Sequence, residues 1–236
     1  MNDVDFVRTA PARMRAANRK VSASRQIYEE LRSQIIALEH APGTSLSRQA
    51  LAGAYEISQT PVRDAFLRLE QEGLVEIYPQ SRTVVARIDV DHARETQFLR
   101  IALELEVTRA LAKDSDKARI EPARRILRMQ RIALEDDNDL VEFNRLDQLL
   151  HGSLCEAVGY PDLWLVVASR SGHIDRLRKL NLPDPGKAAL ILSDHEEIFD
   201  GIAESNLHRT AAAVRNHLSG TLSAVDDIMA RNPQYF

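Results

Sequence analysis

The stretch from Leu51 to Thr83, LAGAYEISQTPVRDAFLRLEQEGLVEIYPQSRT, constrains the fold more than any other part of the chain. A short helical pattern over Leu46 to Tyr55 meets a tight break at Glu56, Ile57 and Ser58. A second helix follows, with Thr60 expected as its N-cap and Pro61 as its first helical residue. Val62, Phe66 and Leu69 share one face and form its buried stripe. Arg63 and Arg68 fall off that stripe, on faces open to solvent or to a polyanion. Gly73 is placed to stop the helix, with Leu74 as the apolar partner of such a cap. Val75 to Tyr78 and Thr83 to Ala86 read as two short strands around a Pro79-Gln80-Ser81-Arg82 turn. Helix, turn, helix and β-hairpin make a winged helix-turn-helix, whose second helix fits a major groove.

Charge is divided unevenly along the 236 residues. The net charge is −4, which alone argues weakly against a nucleic-acid partner. Residues 1–88, however, carry twelve basic against ten acidic side chains, and the remainder nineteen against twenty-five. The attraction to phosphate therefore sits with the predicted winged helix. Arg8, Arg13, Arg15, Arg19, Lys20 and Arg25 make the leading segment basic, and residues 1–20 are read as a flexible arm. The winged helix-turn-helix DNA-binding domain is expected over 21–88 and a second domain over 89–236. One cysteine, Cys155, excludes an internal disulfide and suits a reducing compartment. No apolar run reaches the ~18 residues of a membrane span, and no secretory signal core opens the sequence. The expected location is the cytoplasm, with no membrane partner.

The second domain shows no strand signal. Helical periodicity runs through Ala93–Lys113, Ala118–Glu135, Leu140–Val158, Asp162–Leu180, Pro185–Ala203 and Leu207–Ala230, with turn residues between them. Six helices with short connections predict an antiparallel all-helical bundle. The fold class is mainly α: an N-terminal winged helix-turn-helix with a small β-hairpin wing, then this C-terminal bundle.

Four side chains in the bundle form a pattern. Asp147 and His151 are four residues apart on one predicted helix and share a face. His195 and His217 lie equally far before and after Asn206, the expected turn between the last two helices. In an antiparallel hairpin, residues equidistant from the turn sit at equal height. Three imidazoles and a carboxylate from three helices suit a divalent ion such as zinc, nickel or manganese. Ordinary core or surface histidines remain the alternative at this spacing. Arg100, amid Phe98, Leu99, Ile101, Ala102 and Leu103, either forks a carboxylate ligand or pairs with Glu104. Cys155 continues the face of Asp147 and His151 and reads as a small core residue. HExxH, GxSxG and the phosphate-binding GxxxxGK[ST] are absent, so no enzyme is expected. Two other readings stay open: a metal-dependent hydrolase with an appended DNA-binding head, and a DNA-binding protein whose metal is purely structural.

The sequence resembles GntR-family transcriptional regulators of the FadR group that carry an FCD-type ligand domain. The resemblance rests on APGTSLSRQALAGAYEISQTPVRDAFLRLEQEGLVEIYPQSRTVV, FLRIALELE, FNRLDQLLHGSLCEAVGYPDL and HEEIFDGIAESNLHRTAAAVRNHL, and covers about residues 22 to 230. It implies a homodimer on palindromic double-stranded operator DNA whose affinity changes when a small organic acid enters the bundle. It implies Asp147, His151, His195 and His217 as metal ligands and Arg100 as an effector contact. On the DNA side the matching positions are Ser58, Thr60 and Arg63. Gln59 stands where many relatives have arginine, and its amide suits adenine. Arg82 stands where many have a wing glycine, and suits a minor groove or a phosphate. Arg48 lies near enough to meet a phosphate.

Overall fold

The computed structural model describes residues 23–79, 81–136, 138–184 and 186–236. The proposed arm and Gln80 of the predicted turn lie outside the described residues. The chain divides into two compact units, one reaching Asp89 and including Asn232–Phe236, the other spanning Val90–Arg231.

In the first unit, α1 (Ala23–Ile36) is followed by β1 (Ser45–Leu46), α2 (Arg48–Ala54), α3 (Gln59–Gln71), β2 (Val75–Tyr78) and β3 (Arg82–Val85). Ile27, Leu31 and Ile35 recur on one face of α1 and close over Val62, Phe66 and Leu69 of α3, all buried. At about 1.5–3 kcal/mol for each large apolar side chain, this burial holds α3 against α1. The strand order is β1-β3-β2, antiparallel throughout. Ser45–Leu46 forms a third strand beyond the predicted hairpin, pairing with Thr83 and Val84.

The α3 start differs from expectation. Ser58 is the N-cap and the helix begins at Gln59, so Thr60 is already helical and Pro61 is its third residue. Proline fits there because no N–H of the first turn has an intrahelical partner. The α3 end matches: Gly73 has φ +70°, Leu74 N donates to Leu69 O at 2.9 Å, and Gly73 N to Glu70 O at 2.9 Å. This double bond past a left-handed residue satisfies the last carbonyls. Glu56, at φ +55°, ends α2 in the same way, with Ile57 N on Ala52 O at 3.0 Å.

The second unit contains α4 (Val90–Lys113), α5 (Glu121–Glu135), α6 (Leu140–Ala157), α7 (Asp162–Ala168), α8 (Gly172–Asn181), α9 (Lys187–Ala203), α10 (Leu207–Ser219) and α11 (Val225–Arg231). Two expected long helices are broken. Asp162–Leu180 splits into α7 and α8, because Ser169 Oγ donates to Val166 O and Ser171 Oγ to Val167 O, competing with the backbone ladder. Leu207–Ala230 splits at Gly220, where Lys187 Nζ caps the freed carbonyl at 3.3 Å. The core joins Leu111, Phe143, Leu146, Leu150, Phe199 and Val214. The fold is mainly α, with the N-terminal winged helix-turn-helix and C-terminal helical bundle that the sequence predicts. Among the described residues, no helix is long and apolar enough to cross a membrane.

Candidate metal centre and nucleic-acid surface

Helices α9 and α10 run antiparallel with their backbones close together. A Cβ on Gly201 would lie 2.6 Å from Thr210 Oγ1 and 2.9 Å from Thr210 N, so only glycine admits this approach. The hairpin aligns Glu197 with Arg209 and Asp194 with Asn216. At the same height it brings His195 Nε2 to 3.3 Å from His217 Nε2. Helix α6 supplies the rest: His151 Nε2 is 3.2 Å from His217 Nε2, and Asp147 Oδ1 is 3.5 Å from His195 Nε2 and 3.9 Å from His151 Nε2. All four ligand atoms lie within 4.8 Å of one another. Donors bound at about 2.0–2.1 Å to one ion stand roughly 3.0–3.4 Å apart, close to this spacing.

The surroundings set the protonation of these groups. His195 Nδ1 donates to Gln130 Oε1 at 2.8 Å, and the Gln130 amide is fixed by its own bond to Phe143 O. His151 Nδ1 lies 2.8 Å from Glu104 Oε2. The Gln130 contact keeps the His195 proton on Nδ1 and turns its Nε2 lone pair toward the centre. Burial pushes His195 down to about 3, and burial with two imidazole neighbours holds His217 well below the ordinary histidine range. Burial would raise Glu104, but His151 and Arg100 outweigh it and bring it to about 2. Burial would raise Asp147 too, yet Arg178 and the imidazoles keep it below the usual carboxylate range. Arg178 donates to Asp147 Oδ2, while Oδ1 is fully buried with no hydrogen-bond partner. Three imidazole Nε2 atoms facing an unsatisfied carboxylate oxygen form a donor set suited to a divalent cation. Asp147, His151, His195 and His217 thus form a buried cluster able to coordinate a metal ion.

Arg100 is buried on α4 and donates from Nε to Glu104 Oε1 at 2.9 Å, the pairing given above as an alternative. Its Nη2 is buried without a hydrogen-bond partner. Cys155 sits in the apolar core, outside the four-residue cluster. Gln130 and Arg178 escaped the sequence reading, which named Glu104 only as a partner for Arg100 and not for His151. Glu104 had a signal, four residues after Arg100 on one face; Arg178, 31 positions from Asp147, had none.

In the first unit, Arg48, Ser58, Gln59, Thr60, Arg63 and Arg82 are all exposed. Arg48, Gln59, Arg63 and Arg82 line one cleft of about 770 Å³ between α3 and the wing; Ser58 and Thr60 do not line it. Arg82 lies over the Tyr78 ring at 5.2 Å, across the strand pair. Arg68 is engaged internally, 3.7 Å above the Tyr28 ring. Tyr28 and Arg32 both hydrogen-bond Glu72 at the end of α3, tying that helix to α1.

Comparison with known proteins agrees with both units. The profile described as FCD domain matches residues 95–220, and that described as bacterial regulatory proteins, gntR family, matches residues 23–85. An HTH-type transcriptional regulator in an unstable DNA locus of Streptomyces ambofaciens is 37% identical over 213 residues, 90% of this chain and 89% of that one. The HTH-type transcriptional repressor RspR of Escherichia coli is 29% identical over 213 residues, 90% of this chain and 93% of its own. Two solved structures share the fold: E. coli McbR/YncC, with TM-score 0.71 and 17% identity over 88% of this chain and 98% of that one, and a GntR regulator from Rhodococcus sp. RHA1, with TM-score 0.69 and 18% identity over 89% and 99%. The chain belongs to the gntR family of bacterial regulatory proteins and carries an FCD domain; it is a transcriptional regulator and not an enzyme.

Proposed function

We propose that this regulator belongs to the FadR group, works in the cytoplasm as a homodimer on a palindromic operator, and responds to a small organic acid anchored at a metal in the FCD domain. One observation carries the proposal: three imidazole Nε2 atoms and an unsatisfied Asp147 oxygen converge on one buried point. A divalent ion held there supplies a Lewis-acid anchor for a ligand carboxylate. Arg100, with a buried and unpartnered Nη2, supplies a charged N–H for the same carboxylate.

The DNA reading assigns base and phosphate contacts to the exposed edge of α3 and to the wing. Gln59 and Arg63 stand one turn apart at the start of α3, Arg48 opens α2, and Arg82 starts β3. Neither Arg48 nor Arg63 has an ion-pair partner among the described residues, so both guanidinium groups are available to phosphate or guanine. Acid binding shifts the population of DNA-competent states by its differential affinity for them. A coupling of about 1–3 kcal/mol corresponds to a 5- to 150-fold change in DNA affinity.

The test is a fluorescence-anisotropy titration on a duplex selected from a random pool, with organic acids added in the presence and absence of chelator. The expected result is one divalent ion per chain by elemental analysis and an acid response that chelator removes. An acid response untouched by complete metal removal would contradict the proposal. Loss of folding on chelation, with no acid response under any condition, would assign the metal a structural role instead.

A further inference from the structure

The single tryptophan of the chain, Trp164, stands against the metal centre. It belongs to α7, a seven-residue helix between the left-handed Gly159 and the serine-rich break before α8. Its ring stacks on His151, with centroids 5.5 Å apart and planes at 21°. The Arg100 guanidinium carbon lies 5.4 Å from the same ring. Gly152, next to His151, permits this seating: a Cβ there would meet Trp164 Cδ1 at 3.0 Å. The indole therefore lies against both a cluster imidazole and the guanidinium with an unused N–H. The indole is only partly buried, so it separates this corner from the surface.

We propose that Trp164 is the specificity wall of the acid-binding site, admitting compact aliphatic acids to the corner between His151 and Arg100 and excluding those with a bulky or aromatic substituent. This rests on the acid-responsive reading above and adds the residue that sets ligand size. The physical basis is volume. An indole parked over Arg100 occupies the space that a ligand substituent would need once its carboxylate lies on Nη2. Gly152 packs against the Cδ1 edge of the ring, which limits movement of that edge toward α6.

The test uses the full chain loaded with Ni²⁺, and two probes that share a carboxylate and differ by one ring, acetate and phenylacetate. Ni²⁺ loading is expected to quench Trp164 emission, because the ring stacks on a cluster imidazole. Titration calorimetry is expected to favour acetate in the native chain. Trp164→Ala should move the acetate-to-phenylacetate affinity ratio by about 10-fold or more toward phenylacetate, with Trp164→Phe in between. If acids bind but the ratio is the same in all three proteins, Trp164 has no sorting role, while the acid-responsive reading survives. Stoichiometric Ni²⁺ without quenching also overturns the wall. If neither acid binds any of the loaded proteins, the wall falls, while the acid-responsive reading is decided by the operator titration above.

Discussion

Arg178 of α8 donates to Oδ2 of Asp147 on α6, leaving Oδ1 as the oxygen that faces the three imidazoles. The pair fixes the carboxylate plane and offsets its charge in a fully buried position, so Arg178 positions a cluster residue that it does not replace. Arg178→Ala is expected to leave a buried uncompensated carboxylate and to destabilise the protein by on the order of 3–5 kcal/mol. Denaturant unfolding of the metal-free protein measures this. A change below about 1 kcal/mol would show that the pair adds little.

Arg63 lies on the exposed edge of α3 with no part in the core. Arg63→Ala should weaken operator binding strongly, lower the magnitude of the salt slope by about 1 if a phosphate is its partner, and leave the unfolding midpoint unchanged. Unchanged affinity by anisotropy would mean that the DNA-reading face has been placed wrongly.

Gly201 sets how closely α9 approaches α10. Gly201→Ala forces its methyl group against backbone and side chain of Thr210 at 2.6–3.0 Å, at an expected cost of about 1–3 kcal/mol. Because His195 and His217 face each other across the same interface, metal affinity should fall along with stability. A variant as stable as the native chain would show that the two helices separate freely.

Cys155 is buried among core side chains, and burial pushes its thiol up to about 11 from an ordinary value near 8.5. A raised value shrinks the thiolate fraction, to roughly 0.1% at pH 8. Iodoacetamide should therefore leave the native protein unlabelled at pH 8 and modify it readily in denaturant, as mass spectrometry can follow. Rapid native labelling at pH 8 would place this thiol in contact with solvent.

The sequence disclosed what local rules determine. Gly73 with Leu74 predicts the end of α3 because that capping motif is written in adjacent residues. His195 and His217 were legible because a short turn makes sequence distance equal to height along a helix. The start of α3 was misread because proline is tolerated throughout the first turn, so Thr60-Pro61 does not fix a single cap. The break between α7 and α8 was not legible, since serine hydroxyls bond to backbone carbonyls only in some contexts. Ser45–Leu46 carries too few residues to display a period, and its pairing with β3 depends on residues far along the chain. Arg178 and Trp164 reach Asp147 and His151 through contacts of α8 and α7 with α6, which no spacing rule reports.

X-ray absorption on the Zn²⁺-loaded full chain tests the central claim most directly. The account predicts one zinc per chain with three imidazole nitrogens at about 2.0–2.1 Å and at least one oxygen in the first shell. A sulfur shell, fewer than three imidazoles, or no stoichiometric zinc would contradict it.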